Sequence, residues 1–182
     1  MKNQFIEIRL PDARHRLEEA FREEIPENFS WLQEYETLAR WLADNHGLNL
    51  LITGFVGLGK SVFAMHILPQ LLQTLHLGVN TSSAYQLNEN RKRIMETGIN
   101  VIDDLGVEPQ MNDYGCRSWV FPQIIDHAVE HHRLLIVTTN MTENEMLEKY
   151  GTRTMDRIRS YFCVVRMRET KSYRPTAALG DS

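Results

Sequence analysis

Apolar positions along the chain alternate between two rhythms. Residues 12 to 25, DARHRLEEAFREEI, put Leu17, Ala20, Phe21 and Ile25 on one helical stripe, and Pro26 closes the segment, which predicts a short amphipathic helix. Ser30 with Gln33 has the spacing of a capping box. From there Trp31, Leu32, Tyr35, Leu38 and Leu42 keep helical spacing until Asn45-His46-Gly47 supplies an ending, which predicts a second helix. Four apolar-rich runs then follow at intervals: LNLLIT (48 to 53), VNTSSA (79 to 84), INVID (99 to 103) and LLIVTT (134 to 139). A last strand is expected at YFCVVRMR (161 to 168). Three of the four runs are nearly continuous in hydrophobicity, as parallel strands covered by helices on both faces must be. The expected class is α/β.

The first of these strands runs into GFVGLGKS, which fits G-x-x-x-x-G-K-[ST] with Gly54, Gly59, Lys60 and Ser61 in register. Gly54, Val56, Gly57, Leu58, Gly59, Lys60, Ser61 and Val62 make up the expected phosphate cradle. Its glycines allow positive φ, so that successive N–H groups turn toward phosphate oxygens, and the helix beginning near Lys60 adds its positive dipole end. Lys60 is placed to reach the β and γ phosphates, and the Ser61 hydroxyl to ligand Mg²⁺. A glycine-rich turn that happens to carry lysine is the plainer alternative; the flanking strand and helix argue for the P-loop and hence for ATP with Mg²⁺.

A second signature lies at Asn100-Val101-Ile102-Asp103-Asp104-Leu105-Gly106, a buried strand that ends in two carboxylates. Beside a P-loop this reads as a Walker B strand. Asp103 is placed to hold Mg²⁺, and Asp104 to orient or deprotonate the attacking water. ATPases of this type commonly carry Glu at the second position, so the shorter Asp104 predicts slow hydrolysis. The strand LLIVTT ends on Asn140, whose amide is suited to the γ-phosphate or the lytic water. The competing role, capping the next helix, falls to Thr142, which forms a capping box with Glu145.

Composition narrows the setting. With 182 residues, 42% of them hydrophobic, there is material for one sizeable core. No stretch approaches the ~18 consecutive apolar residues of a membrane span, and the first residues lack the apolar core of a secretory signal, so a cytoplasmic protein with no membrane partner is expected. Cys116 and Cys163 are far apart and suggest neither a disulfide nor a zinc site. The formal charge of −4 argues against a strongly basic nucleic-acid coat, so any DNA contact must come from a local patch. The densest basic run is Arg91, Lys92 and Arg93, with Tyr85 nearby as a candidate for base stacking; a solvated helix face is the equal alternative. His127, His131 and His132 lack a cysteine or acid at ligand spacing and read as solvated histidines.

Taken in order, GFVGLGKS, VIDDLGVE, IVTTN, YGTRTMDRIRS and KSYRP resemble the AAA+ ATPases of the DnaC/DnaI type, the bacterial replicative helicase loaders, and their IstB-type transposition-helper relatives. The resemblance spans roughly residues 28 to 175. It implies a P-loop NTPase of AAA+ type, a three-layer α/β/α domain with a mostly parallel central sheet and little or no C-terminal lid. It also implies ATP-controlled self-assembly on single-stranded DNA and handling of a replicative helicase or a transposase. Under the resemblance, Arg157 in MDR corresponds to the arginine finger that reaches a neighbouring subunit's γ-phosphate. Arg153 corresponds to the arginine of a G-E-R segment in which Thr152 here replaces the Glu, and Arg174 to the sensor 2 arginine. The expected organisation is a helical extension over 1–27, the ATPase domain over 28–175 and a flexible tail over 176–182. Residues 1 to 25 supply at most one helix of a helicase-gripping adaptor, and the short interval from Lys60 to Asp103 predicts a trimmed sheet. The rival readings are a small-molecule kinase, for which no lid insertion is visible; a GTPase, for which no N-K-x-D motif follows; and a non-hydrolysing nucleotide switch.

Overall fold

The computed structural model describes residues 5–25, 29–55, 57, 59–113 and 115–168. Two helices, α1 (Ala13–Glu24) and α2 (Gln33–Ala43), lead into β1 (Asn49–Gly54). An unbroken helical run follows, from α3 (Lys60–Val62) through a widened π turn (Phe63–Ile67) into α4 (Leu68–Gln73). Then come β2 (Asn80–Ser83), α5 (Leu87–Glu96), β3 (Ile99–Leu105), β4 (Met111–Asp113), β5 (Cys116–Ser118), α6 (Phe121–Glu130), β6 (Leu134–Thr139), α7 (Glu143–Tyr161) and β7 (Phe162–Met167).

Five of the strands form one parallel sheet in the order β2-β3-β6-β1-β7. Successive side chains on a strand point to opposite faces, and each face has its own buried cluster. Leu50, Ile52, Val101, Ile136 and Val165 meet α1 through α4 on one side. Leu51, Ile102, Leu135 and Val137 meet α5, α6 and α7 on the other. The result is the expected three-layer α/β/α arrangement. No described helix is long and apolar enough to cross a membrane.

Three features differ from the sequence-based reading. The sheet is not trimmed, because the interval between Lys60 and Asp103 accommodates a helix, a four-residue β2 and α5. The Ser30–Gln33 capping box does not form: α2 starts with Leu32 at its N-cap and no side-chain cap, so Gln33 is the first helical residue and not the third. A small antiparallel hairpin, β4 with β5, lies between β3 and α6, where no strand was expected. The π turn has a local cause. Pro69 cannot donate a backbone hydrogen bond and its ring crowds the preceding turn, which the wider spacing relieves.

The N-terminal helix is built into the core. Leu17 and Phe21 of α1 are fully buried, and the Phe21 ring stacks on Tyr35 of α2 at 4.3 Å. Asn45, 1% exposed, ties this part to the sheet. Its side-chain oxygen accepts from the Ile8 N–H at 2.8 Å, and its amide donates to the carbonyls of Ile6 at 3.0 Å and Leu48 at 3.2 Å. An unmade hydrogen bond to a buried group costs ~1–3 kcal/mol. Asn45→Ala is therefore expected to lower the thermal midpoint by roughly 5–10 °C, at ~2–4 °C per kcal/mol for a chain of this size; differential scanning calorimetry checks this, and an unchanged midpoint would contradict it.

Candidate nucleotide-binding site

The site forms at the carboxyl ends of β1, β3 and β6, where parallel α/β sheets bind ligands. Gly54 ends β1, and a Cβ there would collide with the Met167 carbonyl, so close pairing with β7 requires glycine. Gly57 and Gly59 both have positive φ, as a phosphate cradle needs. Val56 and Leu58 lie outside the described residues. Lys60 opens the helical run and is 6% exposed. Its ammonium donates to the carbonyls of Gly54 at 2.6 Å and Phe55 at 2.7 Å and to the side-chain oxygen of Asn140 at 2.9 Å.

From Asn140 the hydrogen bonds continue to the acids of β3. The Asn140 amide donates to Asp104 at 2.8 Å. Its orientation is forced, because an ammonium only donates and a carboxylate only accepts. The Asp104 N–H donates to the Thr138 hydroxyl at 2.9 Å, and that hydroxyl donates to Asp103 at 2.5 Å. The strands make room for this. The pairing of β3 with β6 shifts register between Ile102 and Leu105, and Asp104 adopts a left-handed φ of 60°. Next to it, Thr139 donates to the Leu105 carbonyl at 2.6 Å and accepts from the Met141 N–H at 3.0 Å, which seals the ends of the two strands together.

A cavity of about 450 Å³ opens over these groups, lined by Gly57, Gly59, Lys60, Ser61, Val62, Asp103, Asp104, Thr138 and Asn140. That volume lies in the usual range for a ligand pocket. Glu24 and Ile25, at the end of α1, also line it. The sequence reading missed these two and Thr138. Thr138 carried a signal, a polar residue inside an apolar strand, whereas the approach of α1 is purely tertiary. Among the described residues, the lining sets three carboxylates against one ammonium. A polyphosphate enters such a site only with a divalent cation to offset the acids, so the residues fit Mg·ATP better than ATP alone.

The remaining candidates lie elsewhere. Arg157 and Arg153 of α7 both pair with Asp126 of α6, at 3.3 and 2.8 Å, and neither lines the nucleotide cavity of its own chain. Arg159 pairs with Glu143 at 2.9 Å. Arg174 lies outside the described residues. On α5, Lys92 and Arg93 are exposed and Arg91 is half-buried; Lys92 stands 3.9 Å from Glu96, and Tyr85 is 69% exposed close by. The rings of His127 and His131 stand 4.2 Å apart; burial first, then the His131 charge, holds the His127 pKa below its ordinary value.

No protein-family model and no curated protein sequence matches the chain. Solved structures do. The chain is similar to the DnaC helicase loader, with 16% identity, 88% of this chain and 93% of that one covered, and a TM-score of 0.56. It is similar to DnaI, with 16% identity, coverage of 92% and 90%, and a TM-score of 0.56. It is also similar to AMPPCP-bound DnaA from Aquifex aeolicus, with 18% identity, 77% of this chain and 48% of that one covered, and a TM-score of 0.55. The chain shares the overall α/β fold of these proteins, with the DnaC and DnaI helicase loaders among its structural neighbours.

Proposed function

We propose that this chain binds Mg·ATP and hydrolyses it to ADP and phosphate, slowly by itself and faster when copies assemble side by side on single-stranded DNA to load or remodel a replicative helicase. The reading rests above all on the continuous chain Lys60–Asn140–Asp104–Thr138–Asp103 along one cavity of a P-loop fold. Its alternative is a transposition-helper role of the IstB type. The two share the same site chemistry and differ only in the protein handled.

In this mechanism the P-loop amides and Lys60 hold the phosphates, and Lys60 neutralises charge that builds on them during in-line attack of water. Ser61 and Asp103 would hold Mg²⁺, which would offset the negative charge of the phosphates and of the acids around them. Thr138 keeps one Asp103 oxygen engaged, which fixes the direction of the carboxylate. Asp104 accepts the proton of the attacking water or orients it. Asn140 stands between Lys60 and Asp104, so one amide links the phosphate-binding cation to the residue that handles water. Arg157 faces away from its own cavity and acts on the site of a neighbouring copy, after exchanging Asp126 for phosphate.

Three outcomes follow. In a steady-state ATPase assay, specific activity should climb with protein concentration and with single-stranded DNA. Arg157→Ala should abolish the climb, by a factor on the order of 10³ for a finger acting in trans, while ATP still binds. A rate that is flat in both and indifferent to Arg157 would leave a solitary switch or a kinase. Asp104→Asn should cut turnover by ~10²–10⁴ with ATP affinity changed by no more than about threefold; weaker ATP affinity with turnover at saturating ATP unchanged would place Asp104 in binding alone. Thr138→Val should lower turnover while Thr138→Ser restores it, because only the hydroxyl is needed to hold the two acids. Full activity in the valine variant would remove Thr138 from the mechanism.

A further inference from the structure

Beyond the nucleotide cavity, the described residues hold a buried charged cluster that the mechanism above does not use. Glu108 is 3% exposed and its side chain is wholly covered. Its carboxylate accepts from the Gly106 N–H at 2.8 Å and from the Tyr150 hydroxyl at 2.5 Å, and it pairs with Lys149 at 3.1 Å. Lys149 also donates to the Gly106 carbonyl at 2.7 Å and lies 4.0 Å from the centre of the Trp119 ring. Burial first, and then the Glu108 carboxylate, pushes the Tyr150 phenol far above its ordinary pKa, so it stays a donor.

A buried ion pair is a poor way to gain stability, because desolvation offsets most of the attraction and an apolar trio of the same volume does as well. What it supplies is a fixed geometry, and here the geometry joins two places that matter. Gly106 follows Asp104 by two residues, so the clamp holds the segment leaving β3. Lys149 and Tyr150 stand directly before Gly151, whose φ of 82° and ψ of 170° break α7 into two pieces. The first piece begins at the Thr142 cap just after Asn140; the second carries Arg153 and Arg157. The Tyr150 carbonyl in turn accepts from the Thr154 hydroxyl at 3.1 Å, which ties the start of the second piece to the clamp.

We infer that Glu108, Lys149 and Tyr150 are positioning residues that fix the arginine-bearing half of α7 against the segment following Asp104, and so set where Arg157 reaches a neighbouring copy's site. This rests on the reading of Arg157 as acting in trans. Glu108→Gln keeps shape but removes the charge that Lys149 and Tyr150 hold. The expected effect is a loss of at least ~10-fold in kcat, as for a misplaced catalytic group, with KM for ATP within about twofold.

Subunit mixing separates this from general weakening. Lys60→Ala lacks its own phosphate site but keeps its arginine; Arg157→Ala lacks the arginine but keeps its site. Mixed together they should show ATPase activity that neither has alone. The double variant Lys60→Ala/Glu108→Gln should restore at least ~10-fold less. If Glu108→Gln does not fold, by circular dichroism and thermal midpoint, Tyr150→Phe takes its place in the same mixture, since it keeps the ring and loses only the hydroxyl. Equal restoration with and without the clamp substitution overturns the inference while leaving the trans arginine in place. No restoration from the simple mixture overturns the trans reading itself, and the clamp's role with it.

Discussion

The slip in pairing between β3 and β6 is the constraint on which the site depends. Regular parallel pairing through Asp103 and Asp104 would send the two acids to opposite faces of the sheet, one into each core. The irregularity between Ile102 and Leu105, with Asp104 in the left-handed region, instead leaves both carboxylates at the strand end beside the cavity. Thr138 holds that arrangement with one hydroxyl, accepting from the backbone of Asp104 and donating to the side chain of Asp103. The same backbone explains the residue type. Left-handed φ is reached more readily by Asp than by a longer side chain, so the Asp at 104, short beside the Glu common in such ATPases, suits the conformation that carries it.

The second constraint is closure of the cavity from the N-terminal side. α1 buries Leu17 and Phe21 in the same cluster as Leu50 and Ile52 of β1, and its last residue, Glu24, with Ile25 just after it, stands at the cavity wall. Packing of this helix and shape of the site are therefore one property. Asn45 serves both, since it ties the segment before α1 to the residue that precedes β1.

What was legible in the sequence follows from how local each signal is. The glycine-rich turn after β1 is a short contiguous motif, so Gly54, Gly57, Gly59, Lys60 and Ser61 could be read directly as one candidate site. All five strands of the sheet were expected, β1, β3 and β6 as nearly continuous apolar runs and β2 and β7 from weaker patterns. The Thr142–Glu145 capping box was legible because both partners lie within one helical turn. The Ser30–Gln33 box failed because tertiary packing of Tyr35 and Leu38 sets where α2 begins. The β4–β5 hairpin, three residues a side, is too short for a hydrophobic rhythm. Glu108 and Tyr150 lie 42 residues apart and meet only in the fold. Arg153 and Arg157 were visible in one short window, but their shared partner Asp126 belongs to another helix.

We propose the cavity at Lys60 as an Mg·ATP site, and titration calorimetry with and without the metal decides it. The wild-type chain should bind ATP at one site, at least ~10-fold more tightly with Mg²⁺ than with EDTA, since the acids Asp103 and Asp104 otherwise repel the phosphates. Lys60→Ala should weaken that binding by ~10-fold or more. Binding that ignores both Mg²⁺ and Lys60, or no binding at all, would rule out an Mg·ATP site at this cavity.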